Sequence, residues 1–283
     1  VLMYSPKKTL IETFTTYLQR TYDTVFCGSD PCYGEFLRST ARMVLGTIAQ
    51  SDALYHDLEH TLLVTAVGQE ILQAKRICEG STSVTQQDWL HVITALLCHD
   101  IGYCKGICQQ DDAELGRHIT GIGEEYVFLP FGSTDAALSP YHVDRGKQFV
   151  CERFGTTTLL DIATVQNIID RTRFPAIDRP MPANVKALAD LGRAADLIGQ
   201  FSDRNYLQKL PALFYEFEQN GTNQSLGYNH LTDVKLGLSE FYWSRVHEHV
   251  EGAIDYLKYT PTGQQIVTEL YANVAVPKAS MCA

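Results

Sequence analysis

Histidines and aspartates that interrupt otherwise apolar helical sequence are the residues of this chain best suited to chemistry. His56 and His60, within Tyr55-His56-Asp57-Leu58-Glu59-His60, are four apart, a spacing that predicts two imidazoles on one helix face. A second group closes a strongly apolar run, Leu96-Leu97-Cys98-His99-Asp100-Ile101-Gly102. A neutral imidazole beside a carboxylate is a natural ligand pair for a divalent cation, and an expensive pair to bury without one. A third carboxylate, Asp196, lies in Gly192-Arg193-Ala194-Ala195-Asp196-Leu197-Ile198-Gly199, where small neighbours are expected to leave room for a metal. A lone histidine at a helix end usually caps the helix or stays solvated. The ordered combination is what argues for a nitrogen and oxygen site of two histidines and two aspartates drawn from three helices.

The elements that must position these residues are read from hydrophobic periodicity, which is mostly helical. Leu10, Phe14, Tyr17 and Leu18 mark an amphipathic opening helix that breaks around Gly28-Ser29-Asp30-Pro31. Further helices are predicted over residues 36–49 and 57–78. Thr85 and Asp88 resemble a capping box ahead of the apolar stripe Trp89, Val92, Ile93, Leu96 and Leu97, which Gly102 stops. Residues 103–140 read as a short helix near 113–119 followed by loop. Helices over 144–154 and 159–171 come next, then a proline-rich loop over 174–182. Residues 183–201 read as helix continuing through 206–217, with the last long helices over 239–257 and 264–274. The fold class is therefore an all-α, irregular multi-helix bundle. An N-terminal helical segment (1–50) is expected to pack on a metal-binding core (51–203), with residues 204–283 a C-terminal helical extension of the same domain.

Composition narrows the function further. The chain has 283 residues, 45% hydrophobic and 20% charged, enough to bury a substantial core. A net charge of -10 argues against a nucleic-acid polymer as partner, since that affinity comes from Lys and Arg neutralising phosphates. It leaves room for a small phosphate-ester substrate, because bound cations reverse the local potential. No apolar stretch approaches the roughly 20 residues that span a bilayer, so no membrane association is expected. The start at Val1 suggests a truncated or processed product, and the opening residues lack the order of a signal peptide. The eight cysteines are scattered, which predicts reduced thiols in a cytoplasmic protein. Cys98 is expected to be a small buried hydrophobe, and Cys104 with Cys108 is a weaker zinc alternative. A homo-oligomer is compatible with everything above.

The order of these motifs resembles the HD superfamily of metal-dependent phosphohydrolases, closest to the class I cyclic-nucleotide phosphodiesterase branch. That branch carries Y-H-N-x-x-H, an apolar helix ending in H-D-x-x-H, I-I-x-x-T and A-D-L. Here stand Tyr55-His56-Asp57-Leu58-Glu59-His60, His99-Asp100-Ile101-Gly102-Tyr103, Ile168-Ile169-Asp170-Arg171-Thr172 and Ala195-Asp196-Leu197. The resemblance runs over roughly residues 55–201 and implies His60, His99, Asp100 and Asp196 as metal ligands, with Asp100 bridging if two ions bind. It implies His56 as the general acid and His142 as a further site-lining histidine. Arg145, Thr172 and Gln200 are candidate substrate contacts, and Lys105, Arg171 and Arg173 further candidates for phosphate. The implied activity is hydrolysis of a phosphoester, a nucleotide or cyclic-nucleotide-like small molecule, by metal-activated water. The donor set admits Zn, Mn, Mg, Fe, Co or Ni, as one or two ions.

The chain departs from the pattern where Tyr103 replaces the last His of H-D-x-x-H and Asp57 replaces Asn. The glutamine-centred nucleotide clamp of the phosphodiesterases has no counterpart over residues 226–257. Other readings stand beside the hydrolase. H-x-x-E-H, the zinc motif of inverted metalloproteases, fits His56 to His60. A di-iron oxygenase of the HD type would enlist His118 and His142. A metal-binding sensory or interaction module would keep the ligands without turnover. His91, His230, His247 and His249 carry no pattern and are expected at the surface.

Overall fold

Helix ends fall where the sequence offers groups to satisfy open backbone donors and acceptors. The computed structural model describes residues 5–28, 31–175, 177 and 179–275. Ser29 and Asp30 of the expected first break, Ala176 and Asp178 of the proline-rich loop, residues 1–4 and Cys282 lie outside the described residues. Ser5 caps α1 (Pro6–Val25), which is followed by α2 (Pro31–Ile48). Asp57 caps α3 (Leu58–Glu79), and the Thr85–Asp88 capping box starts α4 (Gln86–Cys98) with both of its reciprocal bonds made. A 3-10 turn, Ile101–Tyr103, follows α4 after His99 and Asp100, so the α-helix ends four residues before Gly102.

The stretch expected to hold a short helix forms a hairpin of β1 (Arg117–Ile119) and β2 (Tyr126–Phe128), paired antiparallel with His118 opposite Val127. Gly116, Gly121 and Gly123 all have positive φ there, which no right-handed helix accommodates. The Asp111 carboxylate also accepts from the Ile119 backbone N–H at 3.0 Å, turning the chain back on itself. Beyond a 3-10 segment at Asp135–Tyr141 come α5 (His142–Phe154), α6 (Ile162–Arg171) and α7 (Ala183–Phe201). The helix α7 does not run on into α8 (Tyr206–Gln219). Asn273 donates to the carbonyls of Phe201 and Asp203, and Asp203 accepts from the Asn205 N–H, closing α7 and opening α8. Then follow α9 (Thr222–Leu226), α10 (Leu231–Phe241), a π turn at Tyr242–Val246, α11 (His247–Leu257) and α12 (Pro261–Val274). The helix expected over 239–257 thus begins earlier and carries a π turn within it.

The protein is an all-α bundle in which α3 and α7 pack most extensively, flanked by α4, α5 and α6. The N-terminal pair α1 and α2 reaches this core through α2 on α4, and α11 and α12 return onto α3 and α7. One continuous apolar cluster runs from Ile11 to Val274. No helix among the described residues is long and apolar enough to cross a membrane.

The small residues around Asp196 serve helix contact. A Cβ on Gly199 would lie 2.8 Å from the Cα of Val64, and one on Gly192 would lie 2.6 Å from Cγ2 of Ile168. These glycines bring α3, with His60, and α6 against α7; they serve close helix packing and do not leave an open hollow beside Asp196.

Candidate metal centre

Two helix ends and one helix interior deliver the central residues. His60 sits in the first turn of α3, where its backbone N–H is held by the Asp57 carboxylate at 3.0 Å. Asp57, the departure from the phosphodiesterase pattern, is thus a helix cap. His99 ends α4 and Asp100 follows it, while Asp196 projects from α7. His60, His99 and Asp100 are buried and present ligand atoms that all lie within 4.8 Å of one another, a group able to hold a metal ion. The Nε2 atoms of His60 and His99 stand 3.3 and 3.1 Å from Oδ2 of Asp100, and 3.5 and 3.6 Å from Oδ1 of Asp196.

The donor chemistry fits a cation. Nδ1 of His99 donates to the Leu96 carbonyl at 2.7 Å, which leaves Nε2 as the atom facing the carboxylates. Nε2 of His99 and Oδ2 of Asp100 are buried without a hydrogen-bond partner, as befits atoms whose lone pairs belong to a shared ion. Without that ion the two carboxylates draw protons onto the imidazoles. Burial opposes protonation of His60, but the close carboxylates of Asp100 and Asp196 outweigh it and raise the group to about 9. His99 moves up in the same way, and Asp100 is held well below the usual carboxylate range by His99 and His60 despite its burial.

The expectation that His56 and His60 share a helix face is not met. The helix begins at Leu58, so His56 lies in the preceding turn, its ring 5.6 Å from that of His60 at 83°. Nδ1 of His56 is instead paired with the Glu216 carboxylate from α8 at 2.5 Å. The other Glu216 oxygen accepts from the backbone N–H of Tyr55 at 2.7 Å. Nothing in the sequence around Glu216 marked it, and burial of its side chain is the only sign of its role. The H-x-x-E-H arrangement does not assemble either, since Glu59 is half exposed and pairs with Lys209 at 2.9 Å.

Tyr103 fills the position where the family pattern has histidine. Its ring stacks between His56 and His142, 4.5 Å from each, with its hydroxyl 3.3 Å from Oγ of Ser139. His142, at the start of α5, donates from Nδ1 to the Ser139 carbonyl at 2.5 Å and turns Nε2 toward Oδ1 of Asp100 at 3.8 Å. Burial depresses this imidazole, outweighing the pull of Asp100, so its Nε2 offers a lone pair. Gly102 allows this approach, because a Cβ there would fall 1.8 Å from the His142 carbonyl oxygen.

A cavity of about 500 Å³ opens on this cluster, lined by His56, His60, Asp100, Tyr103, His142 and Asp196 on one side. Thr172 and Gln200 also line it; the Thr172 hydroxyl donates to the Ile169 carbonyl and the Gln200 amide to the Tyr206 hydroxyl. Arg145 does not reach the cavity. Its side chain is fully buried and spends its donors on Asp111 and the carbonyls of Gly102, Cys104 and Ile119, because a buried guanidinium must satisfy every N–H it brings inside. His118 faces the same Asp111 at 3.7 Å, away from the metal cluster. Lys105 pairs with Asp135 and Arg171 with Asp190, and of the four basic candidates Arg173 alone lines the cavity.

Among the expected surface histidines, His91 is buried and accepts the Asp161 backbone N–H at 2.9 Å. Cys98 is fully buried as expected. Cys104 and Cys108 are buried free thiols that desolvation pushes up to about 12, and neither belongs to the metal-capable group among the described residues, His60, His99 and Asp100.

Fold and site together define a helical-bundle protein with a buried histidine and aspartate cluster able to hold a metal ion beside a cavity. A family model matches residues 4–279, and the chain belongs to the Npun_R2479-like family. No curated protein and no solved structure matches it.

Proposed function

We propose that this protein is a divalent-metal-dependent phosphohydrolase acting on a small phosphoester bound in the cavity. The observation that carries the reading is the convergence of His60, His99 and Asp100, able to hold a metal ion, with Oδ1 of Asp196 3.5 and 3.6 Å from the two imidazoles. These four side chains would hold the ion. A divalent cation bound there supplies a water acidic enough to act as nucleophile near neutral pH and neutralises charge on the phosphoryl oxygens.

The remaining chemistry belongs to the protein. His56 has its Nδ1 taken by Glu216, so Nε2 is the atom left to give a proton to the departing ester oxygen. The Glu216 carboxylate holds the imidazole in that orientation. Tyr103 keeps the His56 and His142 rings parallel on either side of it. His142, neutral and anchored through Nδ1, presents Nε2 on the Asp100 side of the cavity, where it contacts either the phosphoryl group or a second ion.

Elemental analysis of the wild type beside Asp100→Ala, both assayed with bis-p-nitrophenyl phosphate, tests the proposal. Expected are one or two divalent ions per wild-type chain, and loss of both metal and hydrolysis in the variant. A wild type that binds no stoichiometric metal and turns over no phosphoester after reloading would overturn it.

A further inference from the structure

The wall of the cavity facing the metal cluster comes from the C-terminal helices and has a different character. Leu213 and Phe217 of α8, Leu226 of α9, and Val234, Leu238 and Phe241 of α10 form it, and all are apolar. Several polar groups elsewhere on the lining are engaged within the protein. The Asn220 side-chain oxygen accepts from the Thr222 N–H at 3.0 Å, and the Ser225 hydroxyl donates to the Thr222 carbonyl at 2.8 Å. Thr172 and Gln200 are engaged as described above. The surface that Leu213, Phe217, Leu226, Val234, Leu238 and Phe241 offer a ligand is hydrocarbon.

Charge points the same way. Among the described residues lining the cavity, Arg173 is the one Lys or Arg, and its guanidinium is paired with Asp144 at 2.9 Å and Asp170 at 3.1 Å. A ligand bearing two or three phosphates would enter without cations to meet the additional charge, beside the carboxylates of Asp100 and Asp196. One phosphoryl group, facing the metal cluster, is what the cavity can neutralise.

Resting on the phosphohydrolase reading, we infer that the substrate is a monophosphate ester of an apolar alcohol, whose uncharged hydrocarbon body lies against α8, α9 and α10. In the reaction the bond between phosphorus and the alcohol oxygen breaks and a bond to the oxygen of water forms. The alcohol leaves with a proton from His56, and a proton released by the attacking water balances it. This substrate class departs from the nucleotide-like one implied by the phosphodiesterase resemblance.

Alkylphosphonates of two to eight carbons, which carry a phosphate-like head and cannot be hydrolysed, test the inference by calorimetric titration into the metal-loaded protein. Expected is a Kd that falls about threefold to fourfold per added methylene, the factor equivalent to about 0.8 kcal/mol for a buried CH₂. Leu213→Ala and Phe241→Ala should each flatten that dependence, and adenosine monophosphate should bind at least tenfold more weakly than octylphosphonate. A Kd independent of chain length, or tighter binding of the nucleotide, would overturn the substrate class. Hydrolysis of bis-p-nitrophenyl phosphate together with a flat series would leave the phosphohydrolase standing and the apolar substrate refuted. A steep series with no hydrolysis of any alkyl phosphate would instead keep the apolar ligand and refute the hydrolase.

Discussion

The carboxylate of Glu216 meets Nδ1 of His56 at 2.5 Å across 160 residues of chain, joining α8 to the turn that opens α3. This contact fixes which imidazole nitrogen can serve the cavity, and the same carboxylate ties down the Tyr55 backbone.

Glu216→Gln keeps an oxygen for the Tyr55 N–H but removes the charge behind His56. A fall in kcat of roughly 10–100-fold is expected, the range found when a group orienting a site residue from behind is lost. The decisive comparison is between leaving groups. An alkoxide needs a proton to depart, whereas p-nitrophenolate does not, so alkyl phosphate hydrolysis should suffer far more than hydrolysis of p-nitrophenyl esters. Equal losses on both substrates, with KM unchanged, would mean that Glu216 is only a structural tie.

Metal retention separates the roles of the histidines. Asp196→Ala is expected to lose the ion, while His56→Ala keeps it and loses turnover by roughly 10²–10⁴-fold. Chelation of the wild type should also lower Tm. An ion at one hundred times its Kd stabilises the fold by about 2.7 kcal/mol, and each kcal/mol moves a domain of this size by about 2–4 °C. Metal loss in His56→Ala with retention in Asp196→Ala would invert the assignment and point to the first histidine as a ligand.

The helices and the ligands they carry are legible in the sequence because their signals are local. The span 183–201 and the Thr85–Asp88 cap depend only on near neighbours, and His99-Asp100 stands out against an apolar helix. The hairpin at Arg117–Phe128 is not legible, since three-residue strands are too short to show alternation. Glu216 escapes for another reason. A glutamate on an amphipathic helix reads as solvent-facing, and only tertiary packing leaves its residue 2% exposed. Arg145 is the converse case. Its charge suggests a phosphate contact, yet the fold encloses it and commits its donors to one carboxylate and three carbonyls.

Gly102→Ala tests whether the 3-10 turn and α5 must touch for the site to form. The added methyl would meet the His142 carbonyl oxygen at 1.8 Å, so α5 must retreat and take the His142 ring with it. A loss of about 1–3 kcal/mol is expected from the overpacking, read as a lower urea midpoint at unchanged m-value. Hydrolysis should fall further than the lost folded fraction explains. Wild-type stability and activity in Gly102→Ala would show that the approach is looser than the structure has it.

Acid stability should depend on the buried pair Asp111 and Arg145, 2.9 Å apart and outside the metal centre. Burial alone would raise the Asp111 carboxyl, but the nearby His118 imidazole, the hydrogen bonds and charge of Arg145 and the Ile119 N–H together hold it well below its ordinary 3.8. A carboxyl depressed by folding binds fewer protons in the native state than in the unfolded one. Its contribution is therefore complete above the unfolded value and fades as pH falls below it toward the folded one. Asp111→Asn abolishes that titration and leaves Arg145 buried beside a neutral partner, at a cost of about 3–5 kcal/mol near neutral pH. Urea unfolding of the two proteins at pH 7 and at pH 3 gives the readout, with the wild type leading at pH 7 and the gap narrowing at pH 3, where Asp111 takes up a proton in the unfolded chain and not in the native one. A gap that stays constant between the two conditions would place the stabilisation in the shape of the side chain and not in its charge.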